Sequence, residues 1–356
     1  MTNFFLIISK FILLKKNNNN NVVLLKGDEF MNFKKKLLLL FSFLVIFIPT
    51  NILAYSDKVI LGGNNIGITV NTKEIEVVGF YKVNGNYTAK DTGIKIGDKI
   101  THIENIKINN INEMIETINE KMQNDSVNIT VLRNSEYLNF KLNLVKENDT
   151  YKTGLYIKDQ ITGIGTLTYI DPNSKIYGAL GHEITSSTND IVGITDGKIF
   201  KAEVTGNTKS TVTTTGEKNA IFDSSKIYGT ISENTTKGIY GTYTEIMNTS
   251  NLIDVAEPSE VKLGKAYIYT VLQGNKIEKF EINILKINKD TITKNILFEI
   301  TDQKLINETN GVIKGMSGSP IVQDDKLIGA VTHAIVNDNN KGYGIFITTM
   351  LEEGEN

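Results

Sequence analysis

One run of six residues carries the most specific chemistry in this chain: Gly315-Met316-Ser317-Gly318-Ser319-Pro320. Glycines on both sides of Ser317 permit a tight turn that exposes its Oγ, and they leave backbone N–H groups free to meet a developing oxyanion. Apolar runs follow at Ile321-Val322 and from Leu327 to Val331, separated by a turn at Asp324-Asp325, so two strands trail the serine. A serine needs a base to become a good nucleophile. The chain has three histidines, His102, His182 and His333, and no cysteine. Disulfides, Cys-based zinc sites and a cysteine nucleophile are thereby excluded, and a His-rich metal site nearly so. His182 lies upstream of the serine in Gly178-Ala179-Leu180-Gly181-His182-Glu183-Ile184, and His333 falls on the second strand after it. A carboxylate to orient the base could come from Asp190, Asp196, Asp254, Asp290 or Asp302, and spacing alone does not choose among them. Ser319 is read as a structural neighbour of the nucleophile.

The elements that must position these groups are short. Residues 152–356 are rich in Gly, Thr and brief strand-like runs, a pattern of a sandwich or barrel. The serine run and its two strands resemble the nucleophile segment of chymotrypsin-like proteases. The resemblance implies a mainly β protein with a double β-barrel, Ser317 as nucleophile and the N–H groups of Gly315 and Ser317 as oxyanion hole. In the order His, Asp, Ser of such proteases, His182 is the base, and His333 falls where they put a wall of the primary specificity pocket.

Residues 57–147 read as a separate α+β module. Ile111, Met114, Ile115, Ile118 and Met122 make one apolar face of a helix over Asn109–Met122. A turn at Gly97-Asp98 precedes it, and strands over Val127–Val131 and Tyr137–Leu144 follow. With Arg133 ending a strand, this order resembles a bacterial PDZ domain. The resemblance makes Ile66, Gly67 and Ile68 a carboxylate-binding, peptide-binding loop. His102 is read as structural.

The first 56 residues are read as lying outside the fold. Lys34-Lys35-Lys36 precede an apolar run from Leu37 to Ile48, so residues 31–56 form a signal peptide or membrane anchor. Residues 1–30 read as an upstream extension before a native start at Met31. A net charge of -2 offers no footprint for nucleic acid.

Taken together, the signal-anchor, the PDZ-like module, the stretch Tyr177 to Ile184, Thr301-Asp302, Gly315 to Ile321 and Ala330 to His333 resemble the stage IV sporulation protein B peptidases, family S55. The resemblance implies a triad of His182, Asp302 and Ser317, with no metal and no cofactor. It implies an exported protease, membrane-anchored or released, of the space between forespore and mother-cell membranes. Its partners are then the membrane and a peptide or protein substrate: a membrane-bound regulator, cleaved to activate a late mother-cell sigma factor, and the protease itself. A quality-control protease of the HtrA type is the alternative, although that group carries its PDZ domain after the catalytic domain. An inactive scaffold that binds through the PDZ-like module is the other.

Overall fold

The computed structural model describes residues 55–148, 150–186 and 190–355. The expected signal peptide or anchor and the upstream extension lie, up to residue 54, outside the described residues. No helix among the described residues is long and apolar enough to cross a membrane.

The described chain is mainly β. Strand β1 (Asn65–Phe80) leads into a small module built from β2 (Lys99–Ile103), α1 (Ile111–Lys121), β3 (Ser126–Arg133) and β4 (Glu136–Asn143). Helix α1 forms where the apolar spacing demands one. Asn110 caps it by accepting from the Glu113 N–H at 2.9 Å, while the Glu113 carboxylate accepts from the Asn109 N–H at 2.8 Å. Met114 and Ile118 are buried, but Ile115 is 52% exposed, so the buried stripe is narrower than the sequence indicates. Asp98, 1% exposed, receives Arg133 in a two-pronged ion pair with both contacts at 2.6 Å. The module's core runs from Ile75 to Leu155.

The chain then returns along β5 (Leu155–Ile170), antiparallel to β1 from Phe80↔Leu155 to Asn65↔Thr166. It continues through β6 (Ile176–Ala179), β7 (Ile194–Thr208), β8 (Glu217–Ile231), β9 (Gly264–Val271), β10 (Ile277–Ile287) and β11 (Ile296–Ile300). After α2 (Gln303–Thr309) come β12 (Pro320–Gln323), β13 (Lys326–Ala334) and β14 (Lys341–Phe346). The sheet closes into a barrel. Two apolar clusters fill most of this half. One holds Ile66, Ile68, Val70, Leu167, Tyr177, Leu180 and Ile199. The other holds Ile268, Ile282, Phe298, Leu305, Ile313, Met316, Ile321 and Val331.

This corrects the boundary expected at residue 57. Residues 65–70 belong to the catalytic half, because β1 pairs there with both β5 and β7. The small module is therefore inserted between two strands of the larger sheet.

Candidate active site

Strand β6 ends in the turn that delivers the histidine. The Gly181 N–H donates to the Ala179 carbonyl at 2.8 Å, with Leu180 between them at φ +67° and Gly181 at φ +70°. A three-residue turn centred on a left-handed leucine is strained, and such strain gathers at functional sites. A side chain at Gly181 would meet Thr332 at 2.9 Å, so only glycine fits beside β13.

The serine comes from the loop before β12. Gly318, at φ +89°, lies with its Cα against main chain, and a Cβ there would stand 2.0 Å from the Thr166 carbonyl oxygen and 2.5 Å from the Leu180 nitrogen. The nucleophile loop thus abuts the histidine turn backbone to backbone. Strand β5 fixes it further. The Thr166 hydroxyl donates to the Gly315 carbonyl at 2.7 Å, the Thr166 N–H to the Ser317 carbonyl at 2.9 Å, and the Thr168 hydroxyl to the Gly318 carbonyl at 2.8 Å.

His182 and Ser317 meet at the junction, Nε2 to Oγ 2.9 Å. His182 Nδ1 lies 2.7 Å from the Glu183 carbonyl oxygen. A carbonyl only accepts, so Nδ1 carries the proton and Nε2 presents its lone pair to the serine. That is the tautomer a general base needs. The Ser317 hydroxyl has a second acceptor, the Thr332 carbonyl at 3.0 Å, and its single proton serves one of the two at a time. Burial pulls the His182 pKa below the ordinary imidazole value, opposed by the Glu183 carbonyl and the Glu183 carboxylate charge. The base is thereby neutral at neutral pH.

Asp302 does not take the third place expected of it. Its carboxylate accepts from the Leu305 N–H at 3.1 Å and caps α2. The position a triad acid would occupy, against His182 Nδ1, is filled by the Glu183 carbonyl. Two of the other acids also serve elsewhere: Asp254 pairs with Lys58 at 3.1 Å, and Asp196 accepts from Asn71 at 2.8 Å.

His333 stacks obliquely on His182, ring centroids 5.0 Å apart, and its buried Nδ1 has no hydrogen-bond partner. Burial, the neighbouring His182 and Lys294 push its pKa down to about 4. Ser319 is fully buried, with its hydroxyl 3.0 Å from Thr270 Oγ1, so it cannot reach a substrate. Among the described residues, the N–H groups of Gly315 and Ser317 make no hydrogen bond and stay available as donors. His102 sits in the small module with Nδ1 3.0 Å from Thr101 Oγ1.

The expected peptide-binding loop is also corrected. Ile66 and Ile68 are buried in the catalytic half, 0% and 3% exposed. Gly67 packs on Phe222, where a Cβ would come within 2.3 Å of the ring. Both edges of β1 are taken there, by β5 and by β7, so no peptide strand can add. Sequence reading missed Glu183, Thr166 and Thr332. Glu183 is adjacent to the base in the chain and could have been suspected, but backbone acceptors leave no mark in residue type.

Comparison with known proteins matches the profile of the SpoIVB peptidase S55 family to residues 149–351, more than half of the chain. A PDZ domain profile matches residues 64–144. No curated protein matches. Among solved structures, the inactive form of the Rv3671c protease is 12% identical, covering 54% of this chain and 82% of that one, with a TM-score of 0.30. An inactive-form structure of its serine-to-alanine mutant, from M. tuberculosis H37Rv, is 14% identical, with coverage of 54% and 81% and the same TM-score. Superpositions this loose add nothing about the site. The S55 profile spans the histidine turn, the nucleophile loop and the strands that hold them, and the chain is a serine peptidase that belongs to the SpoIVB peptidase S55 family.

Proposed function

We propose that this serine peptidase is an endopeptidase of sporulation signalling, exported across the cytoplasmic membrane and either anchored there by its N-terminal segment or released. In this reading it cleaves a membrane-bound regulator in the space between forespore and mother-cell membranes, and it also cleaves itself. The family membership and the likeness of the histidine and serine segments support the role.

The single observation that carries the chemistry is the 2.9 Å contact of His182 Nε2 with Ser317 Oγ, in the tautomer fixed by the Glu183 carbonyl. Ser317 attacks the scissile carbonyl as His182 takes its proton. The N–H groups of Gly315 and Ser317 receive the oxyanion, and His182 returns the proton to the leaving amine. The Glu183 carboxylate, whose charge already raises the His182 pKa, stabilises the imidazolium formed between these steps. A water then repeats the sequence on the acyl-enzyme.

A fluorophosphonate probe is expected to label the wild-type protein and not Ser317→Ala, which loses about six orders of magnitude in turnover, the size measured in subtilisin. Co-expression with membrane-bound sporulation regulators tests the role: a regulator is cut by the wild type and left intact by Ser317→Ala. Labelling without cleavage of any such regulator would remove the sporulation role and leave the peptidase.

A further inference from the structure

A lysine lies buried behind the nucleophile loop. Lys218, near the start of β8, is 5% exposed. Its Nζ donates to Asn65 Oδ1 at 2.8 Å and Thr270 Oγ1 at 2.7 Å, and no carboxylate is among its partners in the described residues. Desolvation brings its pKa down to about 7. Burying this amine without a counter-charge is costly, and its two hydrogen bonds are what hold it in place.

Its surroundings show what it holds. The Lys218 N–H donates to the Lys314 carbonyl at 3.0 Å, and the Lys314 N–H donates to the Gly216 carbonyl at 2.8 Å. Residue 314 is therefore clamped by the main chain at the entry to β8, Gly216 and Lys218. Lys314 C=O and Gly315 N–H belong to one trans peptide and point in opposite directions. Fixing the carbonyl on Lys218 turns the Gly315 N–H away from β8. The Lys218 stem lies under Gly315, whose φ is +89°: a Cβ on Gly315 would stand 3.2 Å from Lys218 Cβ and Cδ.

The polar end closes a second path to the same loop. Ser319 Oγ lies 3.0 Å from Thr270 Oγ1 and 3.4 Å from Thr166 Oγ1, and Thr166 donates to the Gly315 carbonyl. Lys218 Nζ, Thr270, Ser319 and Thr166 form one contiguous polar chain that ends on the Gly315 carbonyl. Lys218 thus fixes the peptide on one side of Gly315 through its backbone and the peptide on the other through this chain.

We infer that the Lys218 side chain is a positioning group: through Thr270, Ser319 and Thr166 it holds Gly315, already anchored by the backbone bond at Lys314, with its N–H turned to receive the oxyanion. The inference rests on the reading of Gly315 as an oxyanion donor. Its class of ligand is the tetrahedral oxyanion of acyl transfer, and its effect is on turnover, since the donor meets charge that develops only in the transition state.

Lys218→Met keeps the stem and the backbone N–H and removes the ammonium. On the wild-type chain and this variant, kcat, KM, the fluorophosphonate labelling rate and the melting temperature are measured together. The expected result is a folded variant with kcat lower by about ten- to a hundredfold and KM nearly unchanged, since small misplacements in a site cost rates of this order. Thr270→Val and Thr270→Ser supply a pair that does not depend on Lys218→Met folding. The valine variant is expected to lose kcat and the serine variant, with its hydroxyl, to recover most of that loss. A folded Lys218→Met with wild-type kcat, or a loss confined to KM, overturns the inference, as does a Thr270→Val variant as active as Thr270→Ser. Failure of the wild type itself to label would instead overturn the serine mechanism.

Discussion

The proton on His182 Nδ1 rests on a carbonyl, not on a carboxylate, and this decides what the nearby acids can do. A carbonyl fixes the imidazole tautomer as well as an aspartate does, but it carries no net charge to set against the imidazolium. The Glu183 carboxylate supplies that charge through space. Asp302 meanwhile satisfies an orphan N–H of the first turn of α2. Asparagine caps a helix about as well as aspartate. Asp302→Asn is therefore expected to keep its melting temperature and its turnover of a peptide substrate to within a small factor. A fall of several orders of magnitude, with the fold intact, would return Asp302 to the triad. Ser317 and His182 were legible in the sequence because glycine flanks and scarce histidines narrow the choice. Asp302 came from the family resemblance, since spacing did not choose among the acids, and a resemblance says nothing about which way this side chain faces. The better signal was local: an Asp directly before the helical run Gln303 to Thr309 is a capping position. Lys218 left no sequence signal, since a lone lysine in a strand ordinarily faces water.

At the scale of elements, strand β5 does more than complete a sheet. Its end carries Thr166 and Thr168, which hold three carbonyls of the nucleophile loop, those of Gly315, Ser317 and Gly318. Gly318 is where this depends on one atom. Its φ of +89° disfavours any side chain, and a Cβ would collide with the Thr166 and Leu180 backbones rather than with a side chain that could swing away. Gly318→Ala is expected to cost at least about 2 kcal/mol in chemical denaturation, combining a left-handed residue with a main-chain clash, and to slow fluorophosphonate labelling sharply. Wild-type stability in this variant would mean that the loop can separate from β5 without harm. The strand-rich pattern of this half was readable from turn signals and alternation, as were α1 and the two strands after the serine. The pairing of β1 with β7 was not, because it joins segments more than a hundred residues apart through backbone groups that every residue shares.

Over the whole molecule, one ribbon serves two cores. Strands β1 and β5 run from the small module, where Ile75, Val77 and Leu155 are buried, to the catalytic half, where Ile66, Ile68 and Leu167 are buried. The register breaks between them: Asn71 faces Gln160 and Glu76 faces Lys158, so four residues of β1 bulge opposite Asp159. A bulge bends a ribbon and interrupts its ladder, which lets one core loosen while the other stays formed. The Asp98–Arg133 pair offers a way to loosen only the small one. Asp98 is 1% exposed, so removing Arg133 strands a charge with the Lys95 N–H as its remaining donor at 2.8 Å. With the Arg133 side chain itself 21% exposed, the cost falls below the roughly 3–5 kcal/mol of breaking a wholly buried pair. Arg133→Met is expected to speed hydrogen exchange across residues 75–155 by orders of magnitude. The labelling rate of Ser317 should hold, because Thr166 and Thr168 lie beyond the bulge on the catalytic side. If labelling falls in step with the loss of protection, the ribbon transmits the state of the small module to the nucleophile loop, and the two halves fold and act as one unit.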